Sequence, residues 1–230
     1  LEGESLKLVE FNTDSPAGAA YADKISDLIL AQKELKPFFD QYSLKQESRV
    51  AKILDALLSC YVEFGGSERP QIAIVDWRTV KTRPEFEVIK SYFEEKGYKT
   101  TIADPRDLRY RGGKLYHEHF KVDLVYRRAI FNELMDKIDE VGDFLKAYKE
   151  KAVCVVNPLR SKIAGTKAIL SFLTNPAYDK FFTDKENEMK AEMLPWTRQL
   201  ADSEKFYGNK KVFLIDFLKD EKDFLVLKPR

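Results

Sequence analysis

The sequence predicts an α/β fold with a mainly parallel sheet. Short apolar runs alternate with helix-length segments between residues 71 and 157, and segments with helical apolar spacing lie on both sides. Strands that alternate with helices are typical of βαβ units. Right-handed crossovers then bring the carboxyl ends of the strands to one edge of the sheet.

The composition is that of a soluble globular chain. Of 230 residues, 44% are hydrophobic and 33% charged, and the net charge of +1 provides no global field for nucleic acid. No run approaches the ~20 apolar residues of a membrane span. We therefore expect neither nucleic acid nor a membrane as a partner. Cys60 and Cys154 lie in apolar contexts that favour buried free thiols, which fits a cytoplasmic location.

The first part of the chain predicts one strand and two helices. Residues 6–11 read as a strand, and apolar positions recur at helical spacing from residue 18 to about 35. A second helix follows, for which Ser43 is the expected N-cap with Gln46 as its capping-box partner. The stretch GGSERP, residues 65–70, then predicts a boundary.

The middle part predicts the βαβ units. The strand QIAIVDW is followed by the helix RPEFEVIKSYFEEKGY, with Pro84 in its first turn and Gly97 at its end. The strand KTTIADP comes next, and then a hairpin that turns at Gly112 and Gly113. VDLVYRR and AVCVVNP are further strands, separated by helices at about residues 129–151.

The last part, from residue 158, is predicted to be helical and irregular. Helices are expected at SKIAGTKAILSFLTN and KVFLIDFLKDEKD, and FLVLKP is expected to be the last strand. The sequence opens at Leu1 without a Met and stops directly after that apolar run. We therefore expect it to be a segment of a longer protein.

Oxygen-bearing side chains crowd the end of the first predicted strand. Glu10 and Asn12 fall on one face of a strand, and Asp14 follows two residues later. A carboxylate and an amide oxygen are suitable ligands for Mg²⁺, which takes its other ligands from water and phosphate. The alternative is an ordinary turn rich in Asp, Asn and Pro.

Two lysines are candidates for phosphate contacts. Lys228 ends the apolar run FLVLK, and Lys167 lies near a helix start, where backbone N–H groups also favour phosphate. A snorkelling side chain is the alternative for Lys228, and a solvated helix charge is the alternative for Lys167.

Arg127 and Arg128 end the strand VDLVYRR, where a guanidinium group could hold a carboxylate or a phosphate. Alternation along the strand sends one side chain to each face, and the alternative is a surface pair. The two histidines, His117 and His119, share the segment YHEHF, but without a third ligand in view an exposed hairpin edge is favoured over zinc. The phosphate-loop, dinucleotide and nucleophile-elbow signatures are all missing from the sequence.

Taken in order, several stretches resemble the circularly permuted ATP-grasp proteins, relatives of glutathionylspermidine synthase in the wider glutathione-synthetase-like group. These stretches are KLVEFNTDSPAG, DLVYRR, VVNPLRSKIAGTKAIL, LPWTRQL and FLVLKP. The resemblance implies three parts: residues 1–69 with the metal-ligand strand, 70–157 as a substrate-side domain of the pre-ATP-grasp type, and 158–230 as the start of the nucleotide-binding part.

The resemblance also implies roles for single residues. Glu10 and Asn12 match the magnesium ligands, and Lys167 and Lys228 match the lysines that contact ATP. Thr166 stands where the family has Asn before the first of these lysines. The family's further acidic ligand would precede Leu1 or be Glu2 or Glu4, and its glycine-rich loop would follow Arg230.

The implied function is an ATP-dependent carboxylate–amine ligase, or the larger part of one. ATP would phosphorylate a small carboxylate substrate, and a small amine would displace the acyl phosphate. Arg127 or Arg128 would face the acid substrate. The alternative is a non-catalytic ATP-grasp-like module for binding or scaffolding, and a plain nucleotide-binding α/β domain ranks last.

Overall fold

The computed structural model describes residues 6–208 and 210–228. The chain divides into two compact units. We call Asp14–Leu159 the sheet unit, and Leu1–Thr13 together with Arg160–Arg230 the terminal unit. The predicted boundary at residues 157–158 lies beside this division, whereas the one at residues 69–70 falls inside the sheet unit. The three predicted parts stay a prediction.

The strands and helices are numbered in chain order. The strands are β1 Ile72–Val75, β2 Thr100–Ala103, β3 Leu108–Arg111, β4 Lys114–His117, β5 Phe120–Val122, β6 Leu124–Arg127, β7 Cys154–Val156, β8 Glu204–Tyr207 and β9 Lys210–Phe213. The α-helices are α1 Ala19–Leu30, α2 Lys36–Tyr42, α3 Arg49–Glu63, α4 Arg83–Glu95, α5 Phe131–Asp136, α6 Gly142–Lys149, α7 Ser161–Ala164, α8 Ala168–Leu173, α9 Asp184–Met193 and α10 Leu214–Asp220.

A four-stranded parallel sheet forms the centre of the sheet unit, in the order β2-β1-β6-β7. The predicted parallel α/β arrangement is therefore confirmed. Each residue of β1 is buried, because both faces of the strand are covered. Ile72 and Ile74 pack in one apolar core with α3 and α4, and Ala73 and Val75 pack in a second core with α5 and α6.

The helix α4 begins and ends as the sequence predicts. Pro84 lies in its first turn, where a missing N–H costs nothing, and Gly97 follows it with a positive φ of 84°. The prediction for α3 was wrong in its cap: Ser48, and not Ser43, accepts a hydrogen bond from the Ala51 N–H. Ser43 instead ends α2 in the left-handed conformation.

A small antiparallel sheet, β3-β4-β5, belongs to the sheet unit as well. The predicted hairpin is confirmed: Gly112 and Gly113 connect β3 to β4 with φ values of 55° and 73°. Such angles suit the tight hairpin turn, and a side chain would make them costly.

The terminal unit differs more from the prediction. Residues 6–11 form no strand, although the Leu8 N–H donates to the Met193 carbonyl over 2.9 Å. β8 and β9 pair as an antiparallel hairpin, so the first part of the predicted helix KVFLIDFLKDEKD is a strand and only the second part is α10.

The predicted last strand is also absent from residues 225–228, and Pro229 lies outside the described residues. Phe224, Val226 and Leu227 are 86%, 81% and 74% exposed. A strand needs a neighbour for its backbone groups, and the described residues provide none here. None of the helices that the structure describes is long and apolar enough to cross a membrane.

Candidate functional site

The two predicted metal ligands lie together in the terminal unit. Asn12 Nδ2 donates a hydrogen bond to Glu10 Oε1 over 3.3 Å, and both side chains are exposed. Among the described residues, no group of three or more His, Cys, Asp or Glu side chains is arranged to hold a metal ion. Glu10 and Asn12 therefore provide at most two metal ligands in the described part of the chain, and their role in metal binding stays a prediction.

The two predicted phosphate contacts belong to the same unit. Lys167 is the N-cap residue of α8, and Lys228 follows the short turn Lys222–Phe224. Both lysines are exposed, and neither forms an ion pair with a residue that the structure describes. Their ammonium groups are thus accessible to an anion, but no direct bond joins them to Glu10 or Asn12 within the described part of the chain.

Arg127, at the end of β6, is fully buried in the sheet unit. Its guanidinium pairs with the Asp14 carboxylate over 2.9 Å and donates to the carbonyls of Ala129 and Asn157 over 2.6 and 2.8 Å. The Asp14 carboxylate also accepts from the Phe131 N–H. Asp14, in the polar turn after residues 6–11, is therefore bound to the end of β6. Its carboxylate provides the ionic partner that the buried Arg127 charge requires.

Arg128 is 3% exposed and bonds to a different set of groups. It pairs with Glu85 over 3.3 Å and donates to the Tyr126 hydroxyl over 2.9 Å and to the Pro16 carbonyl over 2.5 Å. Glu85 is itself fully buried and accepts from the Gly18 N–H over 2.9 Å. The surface-pair alternative for the two arginines is therefore wrong, whereas their predicted contact with an acid substrate stays a prediction.

The strand order identifies a further candidate region. The chain leaves β1 toward β2 on one side and returns to β6 on the other, so the order reverses between β1 and β6. In open α/β sheets, ligands bind outside the carboxyl ends of the strands at such a reversal. Asp76 follows β1 at this position, and Arg127 and Arg128 lie at the end of β6.

Asp76 is 8% exposed, and burial raises its pKa to about 6. The Trp77 N–H, which donates to Asp76 Oδ1 over 2.8 Å, and the nearby Arg128 charge lower the pKa but do not cancel the effect of burial. Trp77 Nε1 and Arg128 Nε are buried donors without a hydrogen-bond partner in the described residues. Asp76 and Trp77 follow β1 and Arg128 follows β6, so a perturbed carboxyl group and two unused donors lie just past the ends of the two strands that flank the reversal.

Asp76 is not among the site residues predicted from the sequence. The signal that could have identified it is the run QIAIVDW itself, in which an acidic residue directly follows the most apolar strand of the chain. A carboxyl group there lies at the carboxyl end of an inner strand of the sheet, where it is buried.

A cleft of about 490 Å³ borders this region of the sheet unit, between α1, α3 and the ends of β6 and β7. Its lining includes Tyr126 and Asn157, which accept hydrogen bonds from Arg128 and Arg127. Most of its lining is apolar and includes Ala22, Ile53 and Leu57, with Asn157 and Arg49 as polar members. The Arg49 guanidinium is paired with Asp23 over 3.1 Å. The cleft is large enough for a small molecule but presents few polar groups to orient one.

Comparisons with known proteins support the fold. No family model matches the chain, and no curated protein matches it significantly. One similar solved structure is the apo form of a glutathione synthetase-like effector, GSS30, from Globodera pallida. The TM-score is 0.59 and the identity 16%; the match covers 96% of this chain and 52% of the effector chain. The chain thus has a fold like that of about half of this effector.

Proposed function

We propose that this chain is part of an ATP-dependent carboxylate–amine ligase of the glutathione-synthetase-like, ATP-grasp type. The observation that carries the proposal is the fold likeness to a glutathione synthetase-like effector over 96% of the chain. The order of the ATP-grasp-like sequence stretches supports it independently. The circular permutation and the reaction of the complete protein are parts of the same proposal.

The terminal unit supplies the nucleotide side of this proposal. Lys167 and Lys228 are exposed cations that would bind phosphate oxygens of ATP as point charges. The oxygen donors of Glu10 and Asn12 fit Mg²⁺, which prefers hard oxygen ligands and retains waters. Glu10 and Asn12 would hold the ion, which would offset the negative charge of the phosphates as phosphoryl transfer requires.

The sheet unit would supply the acid-substrate side. Arg128 keeps one N–H, at Nε, without a partner in the described residues, and this is the donor that a substrate carboxylate would meet. Arg127 would position this edge by its bonds to Asp14 and Asn157. In the complete protein, ATP would phosphorylate the carboxylate and leave as ADP, and the amine would then attack the acyl carbon, forming the amide bond and releasing inorganic phosphate.

The test is a calorimetric titration of Mg-ATP into the unchanged chain and into Lys228→Ala. We expect binding that falls about tenfold in the variant, because one charge-assisted phosphate contact is lost. Lys222→Ala is the matched control, since Lys222 is an exposed lysine in the preceding turn. Equal affinities of Lys228→Ala and the unchanged chain would remove Lys228 from the site, and absence of binding by the unchanged chain would contradict the nucleotide site itself.

A non-catalytic binding module is the second candidate. The observation in its favour is that Arg127 and Arg128 direct nearly all of their described bonds at groups of the same unit. ADP release from Mg-ATP in the presence of mixed small carboxylates and amines distinguishes the two functions. Turnover supports the ligase, whereas nucleotide binding without turnover supports the module.

A further inference from the structure

A second, strongly polar cavity lies in the sheet unit beside the small antiparallel sheet. Its volume is about 560 Å³, within the range of roughly 300–1,000 Å³ that small-molecule sites occupy. The lining consists of charged and imidazole side chains: Arg78, Asp107, Arg109, Arg111, His117 and Glu118. The proposed ligase chemistry uses none of these residues.

The positive charges of this cavity are only partly neutralised. Arg78 and Asp107 form an ion pair over 2.6 Å and cancel each other. Arg109 donates to the carbonyls of Arg106 and Leu108, and Arg111 donates to the carbonyl of Glu118 over 3.2 Å. Neither guanidinium forms an ion pair within the described part of the chain, so two cations face the exposed carboxylate of Glu118 alone.

The strand geometry explains why the two arginines act together. Arg109 and Arg111 are two residues apart on β3, so they share the exposed face while Leu108 points into the core. The register places Tyr116 opposite Arg109 and Lys114 opposite Arg111. The Arg111 guanidinium lies 5.3 Å from the centre of the Tyr116 ring, which restrains it.

His117 contributes a further polar group to this cavity. Its Nδ1 lies 3.0 Å from the Thr101 hydroxyl, a contact that orients the ring. The register pairs His117 with Leu108, so it borders the cavity from the opposite face of the small sheet to Arg109 and Arg111. His119 lines an adjoining cavity of about 400 Å³ that shares Arg111 and Glu118. The two cavities thus meet at Arg111.

We propose that the cavity lined by Arg109, Arg111 and His117 binds a small anion that carries two oxyanion groups, such as a diphosphate or a dicarboxylate. Guanidinium groups bind phosphate and carboxylate through two parallel hydrogen bonds. The two arginines lie about 7 Å apart along the strand, so each fork holds one oxyanion group. The ligand bridges the forks and offsets the positive charge that Asp107 and Glu118 leave unbalanced.

Calorimetric titration of the full chain with inorganic pyrophosphate, and separately with succinate, tests this site. We expect at least one anion to bind, and the double variant Arg109→Gln/Arg111→Gln to weaken binding about tenfold or more. The control is Arg83→Gln/Lys52→Gln, which removes the same charge from exposed helix positions outside the cavity. An equal loss of anion affinity in both double variants, or no loss in either, contradicts the proposed site. The preferred anion identifies the ligand class.

The chain contains only two histidines, which gives a second readout. We expect the saturating anion to shift the imidazole ¹⁵N signals of His117 more than those of His119, with His119→Gln used for assignment. A larger response of His119 contradicts the proposed pose. Magnesium is omitted, and Lys167→Ala/Lys228→Ala should bind the anion as the unchanged chain does, so failure of the nucleotide site and failure of this site are distinguishable. Loss of anion binding in that variant also contradicts the proposal.

Discussion

In the sheet unit, Arg127 and Arg128 are buried and bonded to neighbouring groups, whereas the predicted cation and phosphate ligands of the terminal unit are all exposed. A buried charge must be paired, and removal of its partner is costly. An exposed charge is solvated, and its removal costs little stability. The buried charges of Arg127 and Arg128 therefore maintain the fold, whereas the exposed charges of Lys167 and Lys228 are accessible to a ligand.

Removal of the Arg128 guanidinium should have the largest effect. Arg128→Ala leaves the fully buried Glu85 without its ionic partner, so we expect the free energy of unfolding to fall by about 3–5 kcal/mol. Urea unfolding followed by the fluorescence of the buried Trp77, in a Trp196→Phe background, measures this loss in the sheet unit.

The matched control is Arg83→Ala, which removes an arginine from an exposed i,i+4 pair on α4. We expect it to change stability by less than about 0.5 kcal/mol. In the double variant Glu85→Gln/Arg128→Ala, part of the loss should be recovered, because no buried charge remains. A loss of under 1 kcal/mol in Arg128→Ala, roughly that of a surface pair, would contradict the structural role.

The same leucine-to-alanine change can be made at a buried position of the sheet unit and at an exposed position of the terminal unit. Leu57 is 1% exposed in the core beneath α3, and Leu227 is 74% exposed. We expect Leu57→Ala to cost about 2–5 kcal/mol by cavity formation and Leu227→Ala to cost almost nothing. Urea unfolding of both variants measures the difference, and similar losses would show that residue 227 is covered in solution.

The sequence predicted the parallel sheet well because its strands are short, largely apolar runs bounded by turn residues. The runs IAIV and LVYR are buried on both faces, so their burial can be seen in the pattern itself. The run FLVLK has the same pattern but no neighbour in the described residues, and a strand cannot be stable without one. The apolar pattern of a segment gives its tendency to form a strand, and hydrogen bonding to a neighbouring strand decides whether the strand forms.

The candidate site was predictable only in part for a similar reason. Glu10 and Asn12 contact each other, with Asn12 Nδ2 donating to Glu10 Oε1, but strand alternation is not the cause, because residues 6–11 form no strand. Their metal-binding role stays a prediction. The ion pair of Arg128 with Glu85 joins positions far apart in sequence, and such a partner depends on the packing of α4 against the sheet. Asp76 acquires its unusual pKa from burial, which a single sequence does not give.

Asp76 gives a smaller, pH-dependent effect. Burial raises the pKa of this carboxyl from 3.8 to about 6, so the folded chain holds a proton that the unfolded chain releases. The stability contributed by this proton is fully present below about pH 4 and is lost as the pH rises toward 6. Asp76→Asn should therefore stabilise the chain by about 1–2 kcal/mol at pH 7 and have little effect at pH 4.

Urea unfolding of Asp76→Asn across this pH range tests the sign. Asp136→Asn is the matched control, since Asp136 is an exposed aspartate in the same unit. A destabilisation by Asp76→Asn at pH 7 would show that the ionised carboxylate supports the fold, and would contradict the assigned cause of its pKa.

The decisive variant is Lys167→Ala/Lys228→Ala, with Mg-ATP affinity and unfolding free energy measured on the same sample. We expect the affinity to fall about tenfold or more while stability changes by less than about 0.5 kcal/mol, because both lysines are exposed. Unchanged affinity, or a loss of stability that accompanies the loss of binding, would contradict the claim that the terminal unit keeps its exposed charges for a nucleotide.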